Sequence, residues 1–189
     1  MSASTQYAAR LVLAALLWAL PAGAQSSDED DFKLARNLYR DAGDYATSSS
    51  LFAEFIRNYP NSPQLAEARL MLARSYRNSN RFALAASTYE TFFLEHPDHL
   101  ATADARRERA ACLSQTGQYA AAALAYEDVQ RRFSASDFAA QALIDAAANH
   151  TYGQNPQRAV NLYQRVLDEY STNAAAHQAR YQLAKLLFT

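Results

Sequence analysis

Apolar residues recur at intervals of three and four through most of this chain. Leu70, Ala73 and Tyr76 follow this spacing, and Ala85 with Tyr89 continues it after a short polar break. Residues three and four positions apart lie on one face of a helix. Only four glycines and five prolines interrupt the 189 residues, so the helices should be long and the turns short. The pattern predicts pairs of amphipathic helices.

The pattern repeats every 37 residues. Four columns of aromatic or small residues keep this step, and they are Phe52, Tyr89, Tyr126 and Tyr163; Tyr59, His96, Phe133 and Tyr170; Ala68, Ala105, Ala142 and Ala179; and Ala73, Ala110, Ala147 and Ala184. Gly43, Asn80 and Gly117 recur at the turn inside each pair, where a helix end often needs left-handed backbone. A helix pair cannot bury its own apolar face alone, so repeated pairs stack into a solenoid.

The predicted fold class is therefore all-α. We expect a right-handed solenoid of antiparallel helix pairs, with about four and a half repeats and nine helices. The first 24 residues stand apart from this pattern and have the layout of a secretory signal peptide. A single positive charge at Arg10 precedes ten apolar residues (11–20), and Ala22-Gly23-Ala24 then supplies a cleavage site.

Ten apolar residues are too few to span a bilayer, which takes ~20. The predicted domains are a signal peptide over residues 1–24 and a helical-repeat domain over residues 25–189. An uncleaved N-terminal anchor is the alternative. Export by this route predicts a periplasmic protein of a Gram-negative bacterium, with no membrane span after cleavage.

Charge and reactive residues narrow the function further. The net charge of −1 gives no overall attraction to nucleic acid, so no nucleic-acid partner is expected. The chain has no metalloprotease, nucleophile-elbow or phosphate-loop motif, which predicts a protein that is not an enzyme and needs no cofactor. His96 and His99 offer only two ligands for zinc, and His96 falls in an aromatic column, so packing explains it. The single cysteine, Cys112, is predicted to be buried.

The repeated columns resemble the tetratricopeptide repeat. This family combines a small residue and an aromatic in the first helix with a Gly-x-Tyr turn, a small residue and an aromatic in the second helix, and a final proline. The second unit supplies these positions with Ala73, Tyr76, Asn80, Phe82, Ala85, Tyr89 and Pro97. The match covers residues 29–189, although the period of 37 exceeds the usual 34.

A narrower resemblance lies in residues 52–76. This segment is similar to tetratricopeptide domains of two bacterial envelope proteins, the lipoprotein of the outer-membrane β-barrel assembly machine and the periplasmic coordinator of the Tol-Pal system. The resemblance implies a non-enzymatic scaffold for protein–protein interaction in envelope biogenesis, serving outer-membrane assembly, cell-division coordination or a secretion complex. The alternative is a module that binds a cell-wall or other small envelope ligand.

The resemblance also implies where a partner would bind, because the first helix of each pair lines a concave groove in this family. The groove residues implied in this chain are Lys33, Asn37, Arg40, Arg74, Arg77, Arg107, Ile144 and Tyr152. The basic N-terminal part and apolar C-terminal part predict a peptide or helix with an acidic end and an apolar anchor. The alternative is a solvated face on which these cations pair with nearby carboxylates, at Asp30, Asp41, Glu67 and Asp104.

Residues 174–189 predict a last, unpaired helix with more apolar residues than one inward face can bury. Leu186 and Phe188 are expected to remain partly exposed. Such a surface favours a partner contact, self-association through this helix, or a chain cut short of its natural end.

Overall fold

The computed structural model describes residues 27–188, so the predicted signal peptide lies outside the described residues. All regular secondary structure in this range is helical, which confirms the all-α prediction. The nine helices are α1 (Asp28–Asn37, continued by a π-helical turn, Leu38–Ala42), α2 (Tyr45–Asn58), α3 (Leu65–Asn78), α4 (Phe82–Glu95), α5 (Thr102–Gln115), α6 (Tyr119–Arg132), α7 (Ala139–Tyr152), α8 (Pro156–Glu169) and α9 (Ala174–Leu187).

Each helix packs chiefly on its neighbours in sequence. Helices α1/α2, α3/α4, α5/α6 and α7/α8 form four pairs, and α9 packs on α8 and also touches α7. This is the predicted solenoid of four and a half repeats. Within residues 27–188, no helix combines the length and the apolar character that crossing a membrane requires.

Two of the four predicted columns form the core, whereas Ala184, at the end of a third column, is exposed. The aromatic column is buried at Phe52, Tyr89, Tyr126 and Tyr163, and the alanines at 68, 105, 142 and 179 are fully buried beside it. Alanine brings two helix backbones close together, and the larger rings fill the space between successive pairs. Cys112 is also buried, as predicted, and burial raises the pKa of its thiol to about 11, so the thiol remains protonated and unreactive.

The turn inside each of the four pairs contains one residue with left-handed backbone. Gly43, Asn80, Gly117 and Gln154 have φ of 64°, 60°, 75° and 60°, respectively. In the last three units the next amide donates to a carbonyl five residues back, as from Asn155 N–H to His150 O at 2.8 Å. The sequence predicted Gly or Asn here, and Gln154 is the exception.

Replacing Gln154 with glycine is expected to raise the free energy of unfolding by about 1 kcal/mol, because a non-glycine residue is strained at this left-handed φ. Gln178, an exposed residue within α9, provides the matched control: Gln178→Gly should lower stability by about 1 kcal/mol. Urea unfolding of both variants measures the difference. Equal losses in the two variants would contradict the strain at residue 154.

Candidate binding groove

The predicted groove residues at the middle of the solenoid belong to one hydrogen-bonded cluster. Arg74 Nε donates to Glu108 Oε2 at 3.0 Å, and Arg77 Nη1 lies 3.5 Å from Oε1 of the same carboxylate. The hydroxyl of Tyr89 donates to Glu108 Oε2 at 2.6 Å. We call these four residues the Glu108 cluster. The Glu108 side chain is only 13% exposed, so the cluster is largely shielded from water.

Electrostatics hold this cluster in its charged form. Burial opposes the charge on Arg74, but the hydrogen bond and negative charge of Glu108 keep the Arg74 pKa above its ordinary value. Burial first, and then Glu108, raise the pKa of Tyr89, so its hydroxyl keeps the proton that it donates. Glu108 thus offsets one of the two arginine charges within the protein, so this part of the groove is less basic than the sequence predicted but keeps a net positive charge.

The alternative predicted from the sequence was that the groove cations pair with nearby carboxylates. Two further groove cations are paired in this way. Arg107 Nη2 lies 3.3 Å from Asp104 Oδ1, and Lys33 Nζ lies 2.6 Å from Glu29 on an exposed helix face. Asp104 is one of the four acids predicted to pair with these cations, whereas Glu108 is not among those four. The sequence does indicate that Glu108 is unusual. Glu108 lies one repeat before Asp145, and both acids occupy a column that begins with the apolar residues Leu34 and Met71.

The apolar end of the predicted groove needs one correction. Ile144 is 2% exposed and belongs to the core, so the prediction that it contacts a partner is wrong. Tyr152 is exposed as predicted and packs against Tyr119, with ring centroids 5.4 Å apart. Asn37 and Arg40 are exposed on the first unit.

A pocket of about 160 Å³ opens beside Tyr152. We call it the C-terminal pocket. Its walls come from three helices, namely Ala148, Thr151 and Tyr152 of α7, Tyr163 of α8, and Gln182, Lys185 and Leu186 of α9. Small, aromatic and aliphatic side chains, together with the polar Gln182 and the cationic Lys185, surround a space large enough for part of one partner side chain.

Asp145 lies on α7 near this pocket and was not among the predicted site residues. Gln141 Nε2 donates to its Oδ1 at 3.0 Å. Burial raises the pKa of Asp145, and the hydrogen bond and the charge of Arg107 offset this only in part. Burial, Tyr152 and Asp145 together raise the pKa of Tyr163 to about 12, which places Asp145 within electrostatic reach of a pocket wall.

A second ion network joins α6, α7 and α8. Glu127 Oε1 lies 2.8 Å from His150 Nε2, and Arg158 Nη2 lies 2.5 Å from Glu127 Oε2. His150 and Glu127 are 23 residues apart in the sequence and lie on different helices, so the sequence pattern does not indicate this contact. Burial raises the pKa of Glu127, but hydrogen bonds from Arg158 and His150 outweigh it and the net pKa is lowered.

Glu127→Gln is expected to lower the free energy of unfolding at pH 7 by about 2 kcal/mol, because it removes charge-assisted hydrogen bonds. A carboxylate with a lowered pKa stabilises the fold above its unfolded pKa of about 4.3, and this contribution is lost as the pH falls through the folded pKa. Wild type and variant should therefore converge in urea unfolding between pH 5 and pH 3. A difference that stays constant across this range would contradict the role of the Glu127 charge.

The histidines at the loop after α4 have packing roles. His96 and His99 rings lie 5.7 and 5.2 Å from the Phe92 ring, and His99 Nδ1 accepts the Ala101 N–H at 3.1 Å. Burial lowers the pKa of His96. Throughout residues 27–188, no three metal-ligating residues lie close enough together to hold an ion.

Stacked helix pairs define a helical-repeat scaffold. A tetratricopeptide repeat family model matches residues 34–91 and again residues 70–137, which together span more than half of the chain. The chain belongs to the tetratricopeptide repeat family. Scaffolds of this family present extended concave surfaces that bind protein partners, and they are typically non-catalytic.

Solved structures share the fold at low sequence identity. A variant of a Podosopora anserina putative kinesin light chain with TPR-like repeats is 16% identical, with a TM-score of 0.65 over 84% of each chain. A tetratricopeptide repeat protein from Parabacteroides merdae is 16% identical, with a TM-score of 0.68 over 84% of this chain and 59% of that one. A MamA RS-1 double mutant gives 15% identity and a TM-score of 0.59, over 83% and 94% of the two chains. No curated protein matches this chain significantly.

Proposed function

We propose that this protein is an exported periplasmic scaffold that holds a segment of a partner protein along its groove and serves envelope biogenesis. The observation that carries the binding part is the C-terminal pocket, which opens beside the exposed ring of Tyr152. The partner's apolar anchor would enter this pocket. Lys33, Asn37 and Arg40 would face an acidic end of the partner, while Arg74 and Arg77 bind Glu108 inside the protein.

Tyr152→Ala tests the binding surface. The protein is used as bait in an envelope extract, and bound proteins are identified by mass spectrometry. We expect wild type to recover a defined envelope complex and the Tyr152→Ala protein to lose most of it, because the anchor would lose a pocket wall. Leu94→Ala is the matched control, since Leu94 is also largely exposed (76% against 65% for Tyr152) but lies on α4, away from the pocket. Equal recovery by all three proteins would contradict the proposal.

The proposed location rests on residues 1–24, which lie outside the described residues. Expression of the full chain in a Gram-negative host, followed by fractionation, checks it. The periplasmic fraction should contain a protein that begins at Gln25. A protein that retains residues 1–24 and stays with the membrane would instead support the uncleaved anchor.

The alternative of a small envelope ligand is supported by a second, more polar cavity. An open cleft of about 520 Å³ lies between α1 and α2, with Asp31, Glu54, Asn58 and Tyr59 among its walls. Soluble cell-wall fragments are the probe for this alternative. A rise in melting temperature with these fragments, lost in Asn58→Ala, would favour it over the scaffold.

The last helix supports a proposal of self-association. The exposed side chains on or just after α9 are Tyr181, Leu187 and Phe188, and Phe188 is 90% exposed. Leu186 is partly exposed, as expected from the sequence, and its buried part packs on the core. We expect a mass that rises with concentration in light scattering and that Phe188→Glu returns to the monomer value. A monomer at all concentrations would contradict this contact.

A further inference from the structure

The repeat provides an internal comparison for Asp145. One step of 37 residues relates Glu108 to Asp145 and Tyr89 to Tyr126. The same step relates the two arginines of the Glu108 cluster to small residues, Arg74 to Ala111 and Arg77 to Ser114. The third and fourth units thus keep the carboxylate and the tyrosine of the cluster and lack both of its cations.

Asp145 is accordingly a groove carboxylate without a close cation. Its hydrogen bond comes from neutral Gln141, and the guanidinium that influences it, that of Arg107, is bonded to Asp104. Glu108, by contrast, is held by two arginines within 3.5 Å. A half-buried carboxylate in this position costs free energy until a positive group joins it.

One repeat further along the chain, small residues again stand in the two arginine columns. Ala148 and Thr151 occupy the arginine columns there, and Tyr163 and Gln182 occupy the columns of Tyr89 and Glu108. These four residues line the C-terminal pocket. The small side chains therefore leave open space where the Glu108 cluster has guanidinium groups.

Asp145 lies on the same face of α7 as two walls of the pocket, Ala148 and Tyr152. Asp145, Ala148 and Tyr152 are spaced by three and four along α7 and so lie on one helix face. The acid thus adjoins an open space with aromatic walls. A guanidinium suits this combination better than an ammonium, because it binds a carboxylate with a planar fork and stacks on aromatic rings.

We propose that the groove recognises an arginine side chain of the partner, with its guanidinium on Asp145 and the neighbouring apolar residue in the C-terminal pocket. This inference rests on the proposed peptide-binding function and specifies the chemistry of the partner. It assigns to the partner the cation that Arg74 and Arg77 supply inside the protein one repeat earlier.

A binding role for Asp145 differs from a structural one in its effect on stability. Burial raises the pKa of this carboxyl, so its charge opposes folding at pH 7. Asp145→Asn should therefore leave the melting temperature unchanged or raise it. A fall in melting temperature as large as that of Glu108→Gln would overturn the inference, because Asp145 would then be a structural residue.

The binding experiment uses a displayed library of random peptides selected on the purified protein. Selected peptides are synthesised with arginine or with citrulline, which keeps the shape and removes the charge. We expect arginine to be enriched, and citrulline or Asp145→Asn to weaken binding by about tenfold or more. Asp168→Asn, on the exposed face of α8, should bind as wild type does.

Ala111→Arg is a second, independent variant, because it restores in the third unit the arginine of the Glu108 cluster. It should block the arginine-dependent peptides while the protein remains folded, as judged by circular dichroism. Peptides that bind without arginine, or that bind Asp145→Asn as well as wild type, would overturn this inference and leave the scaffold proposal standing. If no peptide binds the protein at all, both proposals fail.

Discussion

Replacing Glu108 with alanine is expected to lower the free energy of unfolding by about 3 kcal/mol, near the low end of the cost of breaking a buried ion pair. The change leaves two partly buried guanidinium groups and the Tyr89 hydroxyl without their common acceptor. The arginines keep some contact with water, since 24% and 32% of their side chains are exposed, so we do not expect a larger loss. Urea unfolding at pH 7 measures it.

Glu90→Ala is the matched control for this prediction. Glu90 pairs with Arg109 at 2.8 Å, also between the second and third units, but half of its side chain is exposed. Exposed pairs contribute about 1 kcal/mol or less. Losses of equal size in the two variants would mean that the Glu108 cluster stabilises the solenoid no more than a surface ion pair does.

Phe92→Ala is expected to have the largest effect, a loss of about 3–5 kcal/mol, because it removes a buried ring and leaves a cavity. Phe92 is 0% exposed and contacts the rings of Phe93, His96 and His99. Leu94, two residues later on α4, is 76% exposed, so Leu94→Ala should be nearly neutral. In a protein of this size the melting temperature of Phe92→Ala should fall by roughly 6–20 °C.

The position of Phe92 adds a second expectation. Each unit of a solenoid is stabilised mainly by its neighbours, so a cavity in the second unit weakens the link between the two ends of the chain. Thermal unfolding followed by calorimetry should become broader than that of wild type. A sharp single transition, shifted by less than that of Leu94→Ala, would contradict the packing role of this ring.

The helices and the core could be predicted from the sequence because they depend on periodicity alone. A step of 37 with aromatic and alanine columns specifies which faces are buried, and every helix pair follows from it. Gln154 shows the strength of this constraint, because the turn imposes left-handed backbone even where the residue is neither Gly nor Asn.

The charge pairs could not be predicted in the same way. A column tells which face a residue occupies, but the head group of a long side chain can reach several neighbours. Glu108 binds residues 34 and 31 positions earlier in the chain, on another helix. Leu70, Arg107 and Ile144 occupy one column, and Leu70 and Ile144 are buried. The long aliphatic stem of Arg107 carries its guanidinium outward to Asp104. The charge of Arg107 therefore wrongly indicated that the whole column is exposed.

The pairing inside the Glu108 cluster also makes the groove adjustable in discrete steps. Because every unit repeats the same columns, a subsite can be closed by placing arginine in two columns or opened by placing small residues there. Under the proposed recognition of arginine, Arg74→Ala with Arg77→Ser would release Glu108 and open a second cation subsite one whole repeat toward the N-terminus. In this proposal, the residues in these two columns determine the repeat at which a partner cation binds.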